Sequence, residues 1–425
     1  MGKLRKLRKW GTDTKKTPPT FQLPNLQIFK FSNSQITQSL PRFFLNLCWT
    51  KKASLMNLSY WEQDTWLHNN DFTIIGSGIV GLNCALRLKE RFPEAKILLL
   101  ERSFLPNGAS TKNAGFATFG SISEILADLH THSEEEVLQL IKKRLNGLEL
   151  LRGNLGDDII DYQQWGGTEL FTREQEPLLQ KCLSERERIN ELLLPIFGKH
   201  VFTVRENSFG FRGIADQCIF TEFEGQLHTG KMMSALMQKV TSLGIKILNN
   251  ITVESFSEEN GQVRLKTDQF ELKTAKLLIT TNGFAFQLGI PSVKPARAQV
   301  LITEPIEDLE LRGTFHLEEG FYYFRNIENR ILLGGGRNLD FEAEETTHLE
   351  QTELIQNKLE SLLQQVILPG KQVKIAHRWS GIMGVGAQKK PIVEQISENV
   401  YCGVRLGGMG VAIGSVVGRD LADLL

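Results

Sequence analysis

The residues with the clearest chemical purpose lie between 71 and 101, in the run Asp71-Phe-Thr-Ile-Ile-Gly76-Ser-Gly78-Ile-Val-Gly81 and, further on, Lys96-Ile-Leu-Leu-Leu-Glu101. Gly76 permits a tight turn, Gly78 lets the backbone approach a pyrophosphate, and Gly81 lets a helix pack closely on a strand. The helix that opens there directs free N–H groups and its positive dipole end at phosphate oxygens. Glu101 follows Gly81 by twenty residues, at the tip of a second strand, where a carboxylate accepts hydrogen bonds from ribose hydroxyls. Strand, glycine turn, helix, strand and acid in that order predict a dinucleotide site. The competing reading is a βαβ unit whose glycines serve packing alone.

A second glycine cluster stands near the C-terminus: Val400-Tyr-Cys-Gly403, then Arg405-Leu-Gly407-Gly408-Met409-Gly410, then an apolar helix from Val411 to Leu424. One nucleotide needs only one such turn. A flavin dinucleotide uses two, one for its pyrophosphate and one facing the pyrimidine edge of the ring, which gains negative charge on reduction. The pair therefore favours FAD over NAD.

The remaining pattern supplies elements to hold these turns. Ser133-Glu-Glu-Glu136 is a capping box, and Val137, Leu138, Ile141, Leu145 and Leu148 give the following helix one buried face. Residues 157–172 read as strands or a meander, and 174–197 as a helix. Met232, Met233, Leu236, Met237 and Val240 mark a helical stripe ending at Gly244. A strand at 245–248 precedes hairpin segments at 251–256, 262–267 and 270–273, with a turn at Asn260-Gly261. Leu277 to Gly283 is a buried strand running into small residues. Further strands are predicted at 297–304, 320–325, 330–334, 373–379 and 399–405, and a helix at 347–365. His228 stands where it would cap a helix.

Composition narrows the class. Hydrophobic residues at 41% and charged residues at 23% are those of an ordinary folded chain. Zero net charge over 425 residues gives no case for nucleic acid. No run of about eighteen apolar residues predicts a transmembrane helix. Five scattered cysteines, with no CxxC pair or zinc spacing, suit a reducing, cytoplasmic setting. No metal cluster or Ser/His/Asp triad is expected. Residues 1–55 carry eleven Lys or Arg against one acid, Asp13, so this arm is +10 and the remainder −10. The segment reads as a disordered basic extension or as translated sequence upstream of a start at Met56; an organelle transit peptide is the alternative.

Several segments then extend the match beyond motifs: Gly108-Ala-Ser110-Thr111-Lys112-Asn113-Ala-Gly115, Gly225-Gln-Leu-His-Thr-Gly-Lys231, Leu278 to Phe284, and Arg297-Ala-Gln299. So do Tyr322-Tyr323-Phe-Arg325 before Leu332-Leu-Gly-Gly-Gly336, Trp379-Ser-Gly381, and Gly407-Gly-Met-Gly410. In this order, over residues 57–425, the chain resembles the D-amino-acid oxidase-like FAD-dependent oxidoreductases, a group including glycine and sarcosine oxidases, D-amino-acid dehydrogenases and gamma-glutamylputrescine oxidoreductases. The resemblance implies an α/β fold in which a Rossmann-like FAD-binding domain (about 70–125, 225–290 and 373–425) joins an antiparallel-sheet substrate part (about 126–224 and 291–372). It implies hydride transfer from the carbon beside an amine nitrogen to flavin, with oxygen or a quinone as electron acceptor.

By position, Gly76, Gly78, Gly81 and Glu101 would hold the ADP half, with Val253 beside the adenine. Arg102, Ser110, Thr111, Asn113 and Gly115 would line the pyrophosphate and flavin path, and Gly408 and Gly410 would face the pyrimidine. Tyr322, Tyr323, Arg325, Trp379 and Met383 are the candidates on the substrate side. Strand alternation sends one of the two tyrosines inward and the other outward. Amino-acid oxidases of this group often carry an arginine where Met383 stands, and it grips the substrate carboxylate. Its replacement favours an amine, or an acid bound elsewhere, with Arg325 and Arg337 as alternative clamps. Gly381 and Lys112 occupy the positions at which some relatives tether flavin, so noncovalent FAD is expected. An NAD(P)-linked dehydrogenase and a non-catalytic flavin-binding redox sensor remain the competing functions.

Overall fold

The computed structural model describes residues 56–425, so the expectations for residues 1–55 lie outside the described residues. Two eight-stranded sheets organise the molecule. In the first, Val400–Val404, Glu271–Ile279, Asn70–Ile75, Ile97–Leu100 and Lys246–Leu248 run parallel in that spatial order. Parallel strands must be covered on both faces, and here Ile74, Leu98, Leu99, Leu277 and Leu278 are buried. The helices Ile79–Arg91, Thr229–Ser242 and Gly410–Asp423 contribute Leu82, Met232, Leu236 and Leu421 to one of the resulting cores.

The second sheet runs Ile375–Val385, Lys294–Thr303, Arg330–Gly335, Tyr322–Ile327, Thr314–Leu317, Gly167–Glu169, Gln217–Thr221, Thr203–Glu206. It is antiparallel throughout except where Thr314–Leu317 lies parallel to Gly167–Glu169. Tyr322, Phe324, Ile331 and Leu333 turn one face of it toward Ile355, Leu359 and Leu363. The opposite face carries Tyr323 and looks toward the glycine turns of the first sheet.

The capping box at Ser133 opens Glu134–Leu155 as expected, and His228 caps Thr229–Ser242 by accepting from Lys231 N. The Asn260-Gly261 turn has positive φ at both residues (53° and 74°), the geometry that fits a two-residue hairpin. Other expectations need correction. The segments 270–273 and 277–279 are one strand, Glu271–Ile279, because its first half pairs with the hairpin and its second with Val400–Val404. Residues 157–172 open with a helical turn, Asp157–Ile160, before the short strand Gly167–Glu169. The late helix starts at Glu353 and not at 347. Finally, Ile375–Val385 pairs with Lys294–Thr303, so the C-terminal contribution to the first sheet begins at Ile392.

Candidate active site

Strand Asn70–Ile75 enters the turn at Gly76, whose φ of 101° suits glycine. A Cβ on Gly81 would sit 2.0 Å from the Gly76 carbonyl oxygen, so helix and turn touch backbone to backbone. Thr280, just past the neighbouring strand, closes the turn from the other side by donating to Ile75 O (2.8 Å) and Gly76 O (3.0 Å). No side chain of Gly78, the N-cap residue, can cap the helix Ile79–Arg91. Ser110 reaches in from the next loop, and its Oγ accepts from Ile79 N at 2.9 Å. Glu101 is buried at the strand tip, where it accepts from Ser77 N (3.2 Å), Ser77 Oγ (2.9 Å) and Ser103 N (3.2 Å). Arg102 lies over the Phe284 ring, 3.6 Å from its centroid.

A single cavity of about 560 Å³ runs from this turn to the second sheet. Gly76, Gly78, Glu101, Arg102, Ser110, and Val253 line one end. Asn113, Gly115, Gly408, and Gly410 line its middle, and Tyr323 and Met383 also border it. Asn113 shapes the middle by accepting from Gly115 N (2.9 Å) and Thr229 Oγ1 (2.8 Å). At the C-terminal turn Gly407 has φ 60°, and no side chain caps the helix Gly410–Asp423. A Cβ on Gly408 would meet nothing nearer than Met383 Sδ at 4.0 Å, which leaves an open cradle at the helix N-terminus.

Five expected residues are placed differently. Gly81 supports the turn from behind and does not line the cavity. Thr111 turns back on its own loop, donating to Pro106 O at 2.7 Å. Tyr322 is the outward member of the tyrosine pair: it is fully buried in the opposite core, its hydroxyl without a partner. Arg325 is not a free clamp, because its guanidinium donates to the carbonyls of Ala114, Leu227 (2.9 Å) and Asn326 (3.2 Å). It therefore buttresses the Gly115 turn, where a Cβ would lie 2.2 Å from Leu227 O. Trp379 likewise stands behind the wall, donating Nε1–H to Lys112 O at 2.9 Å. Tyr323 does face the cavity, its ring lying where a Cβ on Gly334 would collide at 2.6 Å.

The sheet end also holds residues that no motif marked. His316 lies beside Tyr323 across the strand pair and lines the cavity. Its Nε2 is 2.8 Å from Glu224 Oε2, and Glu224 also accepts from Thr314 Oγ1 (2.9 Å) and Thr118 Oγ1 (2.7 Å). Burial opposes charge on both groups. For His316, attraction to Glu224 and their hydrogen bond outweigh it and raise the imidazolium to about 9. For Glu224, the same partner and the two threonines hold the carboxyl below its usual range. Phe116 packs edge-on against both His316 and Tyr323, at 5.4 and 5.5 Å. Glu224 lies 92 positions from His316 and 106 from Thr118, with no spacing in the sequence to link them.

A cavity joining two helix N-termini, neither capped by its own N-cap side chain, through a polar loop suits a long dinucleotide with a ring system at its far end. Comparison with known proteins agrees. The family model described as "DAO: FAD dependent oxidoreductase" matches residues 71–424. The chain belongs to this family of FAD-dependent oxidoreductases. It is 21% identical over 379 residues to the Probable oxidoreductase OrdL of Haemophilus influenzae, covering 85% of this chain and 84% of that one. It is 22% identical over 369 residues to the gamma-glutamylputrescine oxidoreductase of Escherichia coli, covering 84% and 83%. The crystal structure of glycine oxidase from Geobacillus kaustophilus superposes with a TM-score of 0.66 at 19% identity, over 84% of this chain and 94% of that chain.

The residues fit FAD. Glycines leave open cradles at both helix N-termini, and Glu101 ends a strand at the cavity wall, where a carboxylate could accept from ribose hydroxyls.

Proposed function

We propose that this enzyme oxidises the C–N bond of an amine or amino acid, giving an imine that hydrolyses in water. The supporting observation is the continuous cavity, which carries glycine-lined helix N-termini on one side and the Tyr323, Phe116 and His316 wall on the other. Bound FAD supplies the hydride acceptor. In this reading Gly76, Gly78, Glu101, Arg102, Ser110 and Val253 bind the ADP and pyrophosphate parts, with Gly81 and Thr111 supporting them from behind. Asn113, Gly115, Gly408 and Gly410 position the ring. Phe116 and Tyr323 form an aromatic wall that excludes water and orients the substrate C–H. Met383 supplies an apolar contact where an arginine would grip a carboxylate.

FAD is held noncovalently, and acid precipitation should leave the flavin in the supernatant. The four described cysteines are free and buried, in keeping with a cytoplasmic setting. The decisive experiment is anaerobic bleaching of the purified flavoprotein by amines, N-methyl amino acids, D-amino acids and gamma-glutamyl amines, with 2-hydroxy acids as a control. Bleaching by a member of the amine set supports the proposal. Bleaching by hydroxy acids alone, or by nothing in the panel, overturns it. Reoxidation by air against a quinone then assigns the electron acceptor.

A further inference from the structure

We propose that Arg144 is an anion-binding residue of the substrate end of this cavity, so that the substrate is an amine that also carries a carboxylate. The inference rests on the proposed amine oxidation and adds a substrate class to it. Arg144 projects from the helix Glu134–Leu155 and is only 5% exposed, yet it lines the cavity. A guanidinium has five N–H donors. Here NH1 donates to Phe119 O at 2.6 Å, and the buried Nε has no partner.

Among the described residues, no ion pair within 4 Å neutralises Arg144. Glu124, which also lines the cavity, and Asp128 lie near enough to favour its charge, but neither is within ion-pair distance, and Asp128 pairs with Lys389 at 2.5 Å. A buried cation with no directly paired carboxylate is costly, and an anion entering the cavity offsets part of that cost.

The surroundings hold the guanidinium in place. Gly120 has φ 124°, and a Cβ there would come within 3.2 Å of Arg144 NH1, so the glycine leaves it room. One turn along the helix, a Cβ on Gly147 would lie 2.1 Å from Ala412 O, which docks the helix tightly on the C-terminal one. The same wall carries a second cation. Thr118 Oγ1 accepts from Gly120 N (3.1 Å) and donates to Glu224, the partner of His316. Among the described residues His316 Nδ1 has no hydrogen-bond partner. A planar carboxylate suits such donors, and Arg144 forms a fork that can bind both of its oxygens. The carboxylate contact is thereby shifted from the strand that carries Met383 to a helix on another wall.

The test titrates the FAD-loaded protein with acetate, propionate, glutarate and benzoate, and with neutral benzamide, following the flavin difference spectrum. Wild-type protein should bind at least one carboxylate and not benzamide. Arg144→Gln should weaken that carboxylate by at least about tenfold, with the flavin midpoint potential unchanged. Arg144→Lys, which keeps the charge and loses the fork, should fall between them, and it decides the matter if the glutamine variant does not fold. Failure of the wild type to bind any carboxylate, or undiminished binding by the variants, overturns the proposal. So does a lowered midpoint potential with carboxylate binding intact, which would assign Arg144 to the flavin edge. A protein lacking flavin bands would instead contradict the oxidoreductase reading itself, a failure visible before any titration.

Discussion

The two ends of the cavity are built by opposite means. At the dinucleotide end the contacts are backbone: Gly76 and Gly81 approach so closely that a side chain is excluded, and Thr280 ties the turn to the adjacent strand. At the sheet end the contacts are buried ionisable groups, Glu224 with His316 and Arg144 with few partners. A backbone cradle tolerates little variation because its shape is the function. A charged wall can be rearranged one residue at a time, which lets one fold serve different substrates.

That contrast is broken most severely by Gly81→Val, whose side chain must overlap the Gly76 carbonyl. The variant should purify without flavin or fail to fold, as read from the ratio of flavin to protein absorbance. Retention of full FAD would show that the turn yields more than its geometry suggests.

Next in size is Glu224→Leu, which strands His316. Because the folded-state value of His316, about 9, lies above its ordinary 6.5, its pairing contributes fully below pH 6.5 and is lost as pH rises through 9. Urea unfolding should therefore show a loss of about 3 kcal/mol at pH 6 and a smaller one at pH 9.5. An equal loss at both values would remove the charge from the account.

Glu169 probes the same region with the opposite sign of mutation. Burial raises its carboxyl to about 7 against the donors of Ser123. The protonated form thus favours folding, an advantage complete below pH 4.5 and gone above about 7. Glu169→Gln should be more stable than wild type at pH 8 and flatten the decline between pH 5 and 8 in thermal melts; a decline unchanged in the variant would contradict this.

The smallest effect separates two neighbours. Tyr322→Phe removes a buried hydroxyl without a partner, and should change stability by less than about 1 kcal/mol and leave turnover intact. Tyr323→Phe should alter kcat or KM with little change in stability. Equal kinetic effects from both would contradict the assignment of faces.

Sequence displayed the first end of the cavity and concealed the second for a physical reason. Steric exclusion at Gly76, Gly78 and Gly81 dictates residue type at fixed spacing, so it can be read from one chain. Alternation likewise showed that Tyr322 and Tyr323 diverge, but pairing with Gly334 and Gly335 decides which enters the cavity. Arg325 was visible as an arginine, while the carbonyls of Ala114 and Leu227 that converge on it belong to distant segments. His316 sits on a four-residue strand, Thr314–Leu317, too short to announce itself, and meets Glu224 only through strand register. Arg144 read as part of a helix, since nothing local marks a cation with no carboxylate within ion-pair distance.

The first sheet draws Val400–Val404 into the position beside Glu271–Ile279, and the glycine turn at 407–410 follows directly. The strand that begins the nucleotide site and the turn that completes it thus stand at opposite ends of the described chain. Any product of translation that stops before residue 400 has the first cradle and the strands beside it but lacks both the strand that covers Glu271–Ile279 and the second cradle. Flavin retention then reports on residues 400–410, and yellow colour during purification becomes a direct assay for chains that include them.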